Sequence, residues 1–227
     1  MQGIVIQGPT NYCREVAPLY KDRPNIVWST WEDEPEENIE FIKQFTPVVL
    51  SKKPSFPGFG NLNMQTVSTM GGVSYLKDLG VTEVLKTRGD IRITNLDSFL
   101  KLLKGRSLSF LAINKEGIRP DLYYRLVYDH FSHDYPIDLV VYGSIENIEL
   151  MFDLYVEEFY QAPAESMLAY NFMTKKGLDF KLEYNFFIKN GISFYLADCL
   201  ENNIQLQWVK HGGRDLVEWQ NTFEYAF

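Results

Sequence analysis

Arg88-Gly89-Asp90-Ile91-Arg92 sets two guanidinium groups around one carboxylate, directly after an apolar run, Glu83-Val84-Leu85-Lys86-Thr87, that reads as a strand. Three more polar clusters hold comparable positions. Gln7-Gly8-Pro9-Thr10 follows the run Gly3-Ile4-Val5-Ile6, and Ser29-Thr30-Trp31-Glu32 closes the run that begins at Asn25. Asn61-Leu62-Asn63-Met64-Gln65-Thr66 precedes a helical pattern. In an open parallel sheet, ligands bind at the carboxyl ends of the strands, where these clusters fall. Amides, hydroxyls, an indole face, arginines and a carboxylate suit a base, a ribose and a diphosphate with its cation. Each cluster alone also has an ordinary reading: a tight turn, a packing tryptophan, helix caps, or an exposed ion pair worth little. Their placement at successive strand ends is what points to a nucleotide.

The elements that must position these groups alternate strand and helix. Strands are predicted at 3–6, 25–30, 47–50 and 83–87, with helices over 11–20, from the acidic run at Glu32 to Phe45, and from Met64 to Leu79. Asn11 is a plausible cap for the first helix, and Gly80 is well placed to stop the third. The pair Gly71-Gly72 weakens a helix by roughly 2 kcal/mol, unless close packing on the sheet requires it. Residues 52–63, with Pro54, Pro57, Gly58 and Gly60, form a loop. Further strands are expected at 107–113, 122–127, 136–142, around 186–188 and at 206–208, with helices over 145–159 and 165–175. The pattern is that of an α/β domain with a mostly parallel sheet. No repeat or linker divides it, so one domain over 1–227 is expected, with a nucleotide-binding half (1–95) and a second half (96–227) built to hold something else.

Composition narrows the class. The chain has 227 residues, 45% hydrophobic and 23% charged, which suits a folded globular protein. A formal net charge of −8 argues against nucleic-acid binding, which needs a cationic surface. Two cysteines, Cys13 and Cys199, make no disulfide framework and point to a reducing compartment. No run approaches the roughly 20 apolar residues that span a bilayer, and the first ten lack the features of a signal peptide, so a cytoplasmic protein is expected.

The segments Ile6-Gln7-Gly8-Pro9, Val27-Trp28-Ser29-Thr30-Trp31-Glu32, Asn63-Met64-Gln65-Thr66-Val67-Ser68-Thr69 and Leu85-Lys86-Thr87-Arg88-Gly89-Asp90-Ile91 resemble those of the WavE-type lipopolysaccharide-synthesis proteins, in order and spacing. Asp138 with Tyr142-Gly143-Ser144, and Pro163-Ala164-Glu165, extend the likeness over residues 3–175. That family is similar in turn to glycosyltransferases of the GT-A fold, and related enzymes occur in some large viruses. The resemblance implies a GT-A-like α/β domain with a mixed, mostly parallel central sheet flanked by helices. It also implies transfer of a sugar from a nucleotide-diphosphate donor, UDP-glucose being the first to try, to a glycan, lipopolysaccharide or glycoprotein acceptor. Mn²⁺ or Mg²⁺ usually assists that reaction. The compartment would be the bacterial cytoplasm, or the host's if the protein is virus-encoded.

Carried onto these positions, Gln7, Gly8, Pro9, Thr10, Thr30 and Trp31 would hold base and ribose. Asn63 and Gln65 would close over the nucleotide, and Arg88 would meet the diphosphate. Asp90 is the expected metal ligand, with His211 a late second one. The chain departs from the Asp-x-Asp of GT-A enzymes, having Asp90-Ile91-Arg92. Either one carboxylate, the diphosphate and waters hold the metal, or Arg88 and Arg92 supply part of the charge. For an inverting reaction Glu165 is the expected base and Asp138 the group that holds sugar or acceptor; Asp138 in an apolar strand needs a specific partner. His130 and His133 flank Asp134 and read as loop residues near the acceptor side. Two alternatives remain: a sugar nucleotidyltransferase, which should show a glycine-rich basic loop after the first strand, and a binding module that has lost catalysis.

Overall fold

The computed structural model describes residues 1–114, 134–157, 164–177, 193–195 and 203–215, some of the later ones by backbone course alone. Short apolar runs become the strands β1 (Gln2–Gln7), β2 (Ile26–Trp31), β3 (Val48–Ser51) and β4 (Glu83–Arg88), all mutually parallel. β6 (Leu108–Asn114), β7 (Asp134–Ser144) and β8 (Ser193–Tyr195) extend the sheet to seven strands in the order β3-β2-β1-β4-β7-β6-β8, with β7 antiparallel to both neighbours. This is the expected α/β architecture, a mixed and mostly parallel sheet flanked by helices. Strands from both expected halves share it.

Alternation sends Ile4, Ile6, Trp28 and Leu85 to one face, against α1 (Cys13–Val16) and α4 (Leu96–Leu103). Val5, Val27, Val84 and Val141 face α3 (Leu62–Asp78), α5 (Ile145–Phe152) and α6 (Ala164–Lys175) on the other. A second sheet, β10-β9-β5, joins the turn after β4 to the C-terminal segment: β5 (Ile91–Ile93) pairs antiparallel with β9 (Leu206–Trp208), which pairs with β10 (Arg214–Asp215).

Three helices differ from expectation at their ends. Residues 11–20 form one α-turn and then a 3₁₀ turn over Ala17–Tyr20, because Pro18 lacks the N–H that a continued helix needs. The acidic helix, α2 (Glu36–Ile42), begins only after Pro35, since a residue before proline is pushed out of the helical region. This releases Glu34 for another task. The helix expected over 145–159 ends at Phe152. The expected strands at 122–127 and 186–188, and His130, His133, Pro163 and Cys199, lie outside the described residues.

α3 ends as anticipated. Gly80 takes φ +76°, its N–H donates to the Lys77 carbonyl, and the Val81 N–H donates to that of Leu76. Gly71 and Gly72 set the helix close on the sheet: a Cβ at Gly72 would stand 2.6 Å from Val5 Cγ1, and one at Gly71 2.9 Å from Ser51 Oγ. Gly72→Ala should therefore be destabilising. Overpacking of about 1–3 kcal/mol outweighs the roughly 1 kcal/mol that alanine adds to helix propensity. Urea denaturation measures the balance, and a variant more stable than the parent would overturn the close-packing account.

Candidate functional site at the tips of β1, β2 and β4

The parallel strands end side by side. The Gly8 N–H donates to the Ser29 carbonyl at 3.1 Å and the Gly89 N–H to the Gln7 carbonyl at 2.9 Å, so three strand tips are laced by backbone. Below them lies Trp28, fully buried, its indole N–H donating to the Gly8 carbonyl at 3.3 Å. Gly89 rests on that ring: an added Cβ would come within 2.7 Å of Cζ2 and 2.9 Å of the Pro9 carbonyl. Only glycine allows the β4 tip to reach this position, which brings Asp90 beside the tip of β1.

Asp90 is nearly buried, 8% exposed. Its Oδ1 accepts from Arg88 Nε at 2.9 Å, and its Oδ2 from Arg88 Nη2 at 2.8 Å and from the Trp208 indole N–H at 2.9 Å. The Arg88 guanidinium carbon lies 5.6 Å from the Trp208 ring centroid. Burial pushes the Asp90 carboxyl up, but the charge and hydrogen bonds of Arg88, with the Trp208 indole, outweigh it and hold the carboxyl below its ordinary value of 3.8. A depressed carboxylate contributes stability that is present above its unfolded value and lost as pH falls through the folded one. The gap in melting temperature between the parent and Asp90→Asn should thus be widest near neutrality and narrow below about pH 4. A gap that is constant down to pH 2 would contradict the assignment.

The loop after β1 is occupied from within. Glu34 Oε2 accepts the Thr10 N–H at 3.0 Å and its hydroxyl at 2.5 Å, and Asn38 donates to that hydroxyl at 3.1 Å. With the Gly8 N–H given to Ser29 and none on Pro9, the amides of Gly8, Pro9 and Thr10 form no cradle for a triphosphate. A carboxylate stands in the loop instead of a cation.

Several expected ligand residues are placed otherwise. Trp31 is 2% exposed and presents no open face for stacking. Asn63 is fully buried and works as a tie: its amide nitrogen donates to the carbonyls of Phe56 and Val156, and its oxygen accepts the Val156 N–H at 2.9 Å. It joins the first turn of α3 to the segment after α5. Gln65 donates to the Gly60 carbonyl at 3.3 Å. Among the described residues, the buried hydroxyl of Thr30 has no hydrogen-bond partner.

Other candidates are fixed by backbone position. Asp138 lies on β7 beyond its last pairing with β4, Lys86 with Val141, where the β6 register jumps from Phe110–Val141 to Leu111–Ile137. A bulge of this kind re-aims side chains and is common beside active sites. Glu165 is the second residue of α6; its neighbour Ala164 would meet a Cβ on Gly60, in the loop that leads into α3, at 3.4 Å. His211 closes a short turn whose Val209 N–H donates to the Asp90 carbonyl at 2.9 Å. The side chains of Asp138, Glu165 and His211 are not among the described parts.

Among the described residues, no ready set of donors for a divalent ion is present. Among the described residues no three His, Cys, Asp or Glu side chains gather as a metal-binding group, and both Asp90 oxygens already accept N–H groups. A cation at Asp90 has to share the carboxylate with the guanidinium and the Trp208 indole.

No protein-family model matches the chain, and no curated protein matches it. Solved structures are similar to it over much of its length. A 4-diphosphocytidyl-2C-methyl-D-erythritol synthase from Anaerococcus prevotii is 12% identical with a TM-score of 0.46, over 78% of this chain and 84% of that one. A cytidylyltransferase from Leptospira borgpetersenii is 15% identical with a TM-score of 0.42, over 78% and 73%. A CMP:2-keto-3-deoxy-manno-octonic acid synthetase complexed with CTP is 10% identical with a TM-score of 0.43, over 78% and 86%. At such identity and scores no activity passes from them to this chain.

Sequence reasoning missed four residues. Glu34 reads as one acid in an acidic run. Trp28 reads as an ordinary strand residue, and Trp208 as the end of a short strand in the least distinctive part of the chain. Lys86 reads as the polar position of a strand, yet it is fully buried on β4, its Nζ 5.7 Å from the Phe152 ring centroid. Only the burial of the central strand could have flagged it. Among the described residues no helix is long and apolar enough to cross a membrane.

Proposed function

We propose that the chain transfers a sugar from a nucleotide-diphosphate donor to a glycan, lipopolysaccharide or glycoprotein acceptor, with UDP-glucose the first donor to try. The single observation that carries this reading is Arg88, held at the tip of β4 beside the tip of β1. Breaking the anomeric C–O bond puts negative charge on the departing diphosphate, and a guanidinium fixed in advance stabilises that charge more in the transition state than in the ground state. Residues 1–95 bind the donor in this reading and 96–227 the acceptor. Gln7, Gly8 and Pro9 line the nucleotide side, with Thr10, Thr30 and Gln65 near it. In this reading Asp138 holds sugar or acceptor and Glu165 takes the acceptor proton. The cytoplasm is the proposed compartment.

The rival is nucleotidyl transfer from a nucleoside triphosphate to a sugar phosphate. It needs a triphosphate cradle after β1, and the Glu34–Thr10 contact speaks against one. UDP-, GDP- and dTDP-sugars, with and without Mn²⁺, separate the readings by melting shift and slow donor hydrolysis. Nucleoside triphosphates with sugar 1-phosphates, scored by pyrophosphate release, form the second arm. Donor hydrolysis supports transfer; pyrophosphate release supports the rival; a melting shift without turnover supports a binding module. Silence in every arm removes the transferase reading.

A further inference from the structure

We infer that Asp90 and Trp208 are positioning residues for Arg88, together forming a diphosphate site that works without a divalent ion. The inference deepens the transferase reading and rests on it for the identity of the diphosphate.

Three constraints act on one guanidinium. Asp90 grips it through two parallel N–H···O bonds, a geometry that fixes the plane of the fork. Trp208 holds the gripping carboxylate through its indole N–H, which donates to the same Oδ2, while its ring lies 5.6 Å from the guanidinium carbon. The backbone then locks both partners together: Ile91 pairs with Trp208, and the Val209 N–H donates to the Asp90 carbonyl. Asp90 is almost out of water, yet the Arg88 side chain remains 27% exposed. A carboxylate buried behind an arginine that still reaches solvent is arranged to aim the arginine.

Countercharge is the objection, because Asp90 cancels the net charge of Arg88. Freeing that charge by substitution yields little at a partly exposed group, where water and salt screen it. Freeing the fork forfeits its orientation, which is the larger loss because a flexible arginine must be ordered again on binding. The two effects oppose each other, and orientation wins.

The test is calorimetric titration of inorganic pyrophosphate into the full chain in excess EDTA, for the parent, Arg88→Gln, Asp90→Asn and Trp208→Phe. The parent should bind, and Arg88→Gln should lose binding by about a hundredfold or more, the scale of losing a charge-assisted bidentate contact. Asp90→Asn should bind about tenfold more weakly, and Trp208→Phe about threefold, since preorganisation is lost in part. Should Asp90→Asn fail to fold, Trp208→Phe decides alone. The inference is overturned if the parent binds only with Mn²⁺ and Asp90→Asn abolishes that Mn²⁺ effect, or if both positioning variants bind as the parent does. Pyrophosphate binding as expected, with no nucleotide sugar bound or hydrolysed, would leave the diphosphate site standing and remove the transferase reading.

Discussion

Arg88→Gln should lower turnover of the nucleotide sugar by about 10²–10³-fold, the range seen when one fixed donor to developing charge is removed. The same change strands Asp90 with the Trp208 indole as its remaining described partner and 8% exposure, so a stability loss of about 1–3 kcal/mol accompanies it. Without the guanidinium, the Asp90 carboxyl loses the two largest influences that hold it down. The double variant Arg88→Gln/Asp90→Asn separates the two effects. It removes the uncompensated carboxylate and should recover most of the lost melting temperature while turnover stays low. Recovery of both together would mean that Arg88 acts only on stability; turnover within threefold of the parent in the single variant would remove Arg88 from the reaction.

Much of this arrangement was legible because the signals were local. Four short apolar runs, each followed by glycine, proline or hydroxyl residues, specify parallel strands whose polar tips share one edge. Gly71-Gly72 and Gly80 marked close packing and a stop within one helix, and the structure uses them so. The turn Arg88-Gly89-Asp90 stood out for its charges, but what they do depended on distant residues. Trp208 lies 118 positions from Asp90 in sequence and reaches it only because β9 pairs with β5. No local pattern encodes that pairing.

The buried candidates follow a similar logic. Asn63 and Trp31 have side chains suited to nucleotides, yet suitability says nothing of exposure, and both lie inside packed contacts. Lys86 shows the reverse. Its charge marks the solvent face in a strand with one wet side, whereas β4 sits between β1 and β7 and is covered on both faces. That central position arises from the antiparallel insertion of β7 beside β4. Glu34 was freed by Pro35, a local effect, but its partner Thr10 belongs to another loop.

Trp28→Ala should be the most damaging single change to stability. The ring is wholly buried beside Ile6, carries Gly89 on its face, and donates to the Gly8 carbonyl, so it supports two of the three strand tips at once. Truncating a buried tryptophan costs about 3–5 kcal/mol through lost transfer energy and the cavity left behind. For a chain of this size that is a fall of roughly 6–20 °C in melting temperature. Trp28→Phe keeps most of the ring area but leaves the Gly8 carbonyl without its indole donor, and should lie between. Because Gly89 would lose its floor, the Asp90–Arg88 grip should loosen as well. In Trp28→Ala below its melting temperature, pyrophosphate affinity should fall along with stability, by about tenfold. If stability drops by the expected amount while pyrophosphate binds as tightly as before, Trp28 supports the core alone and the strand tips hold their geometry by backbone hydrogen bonds.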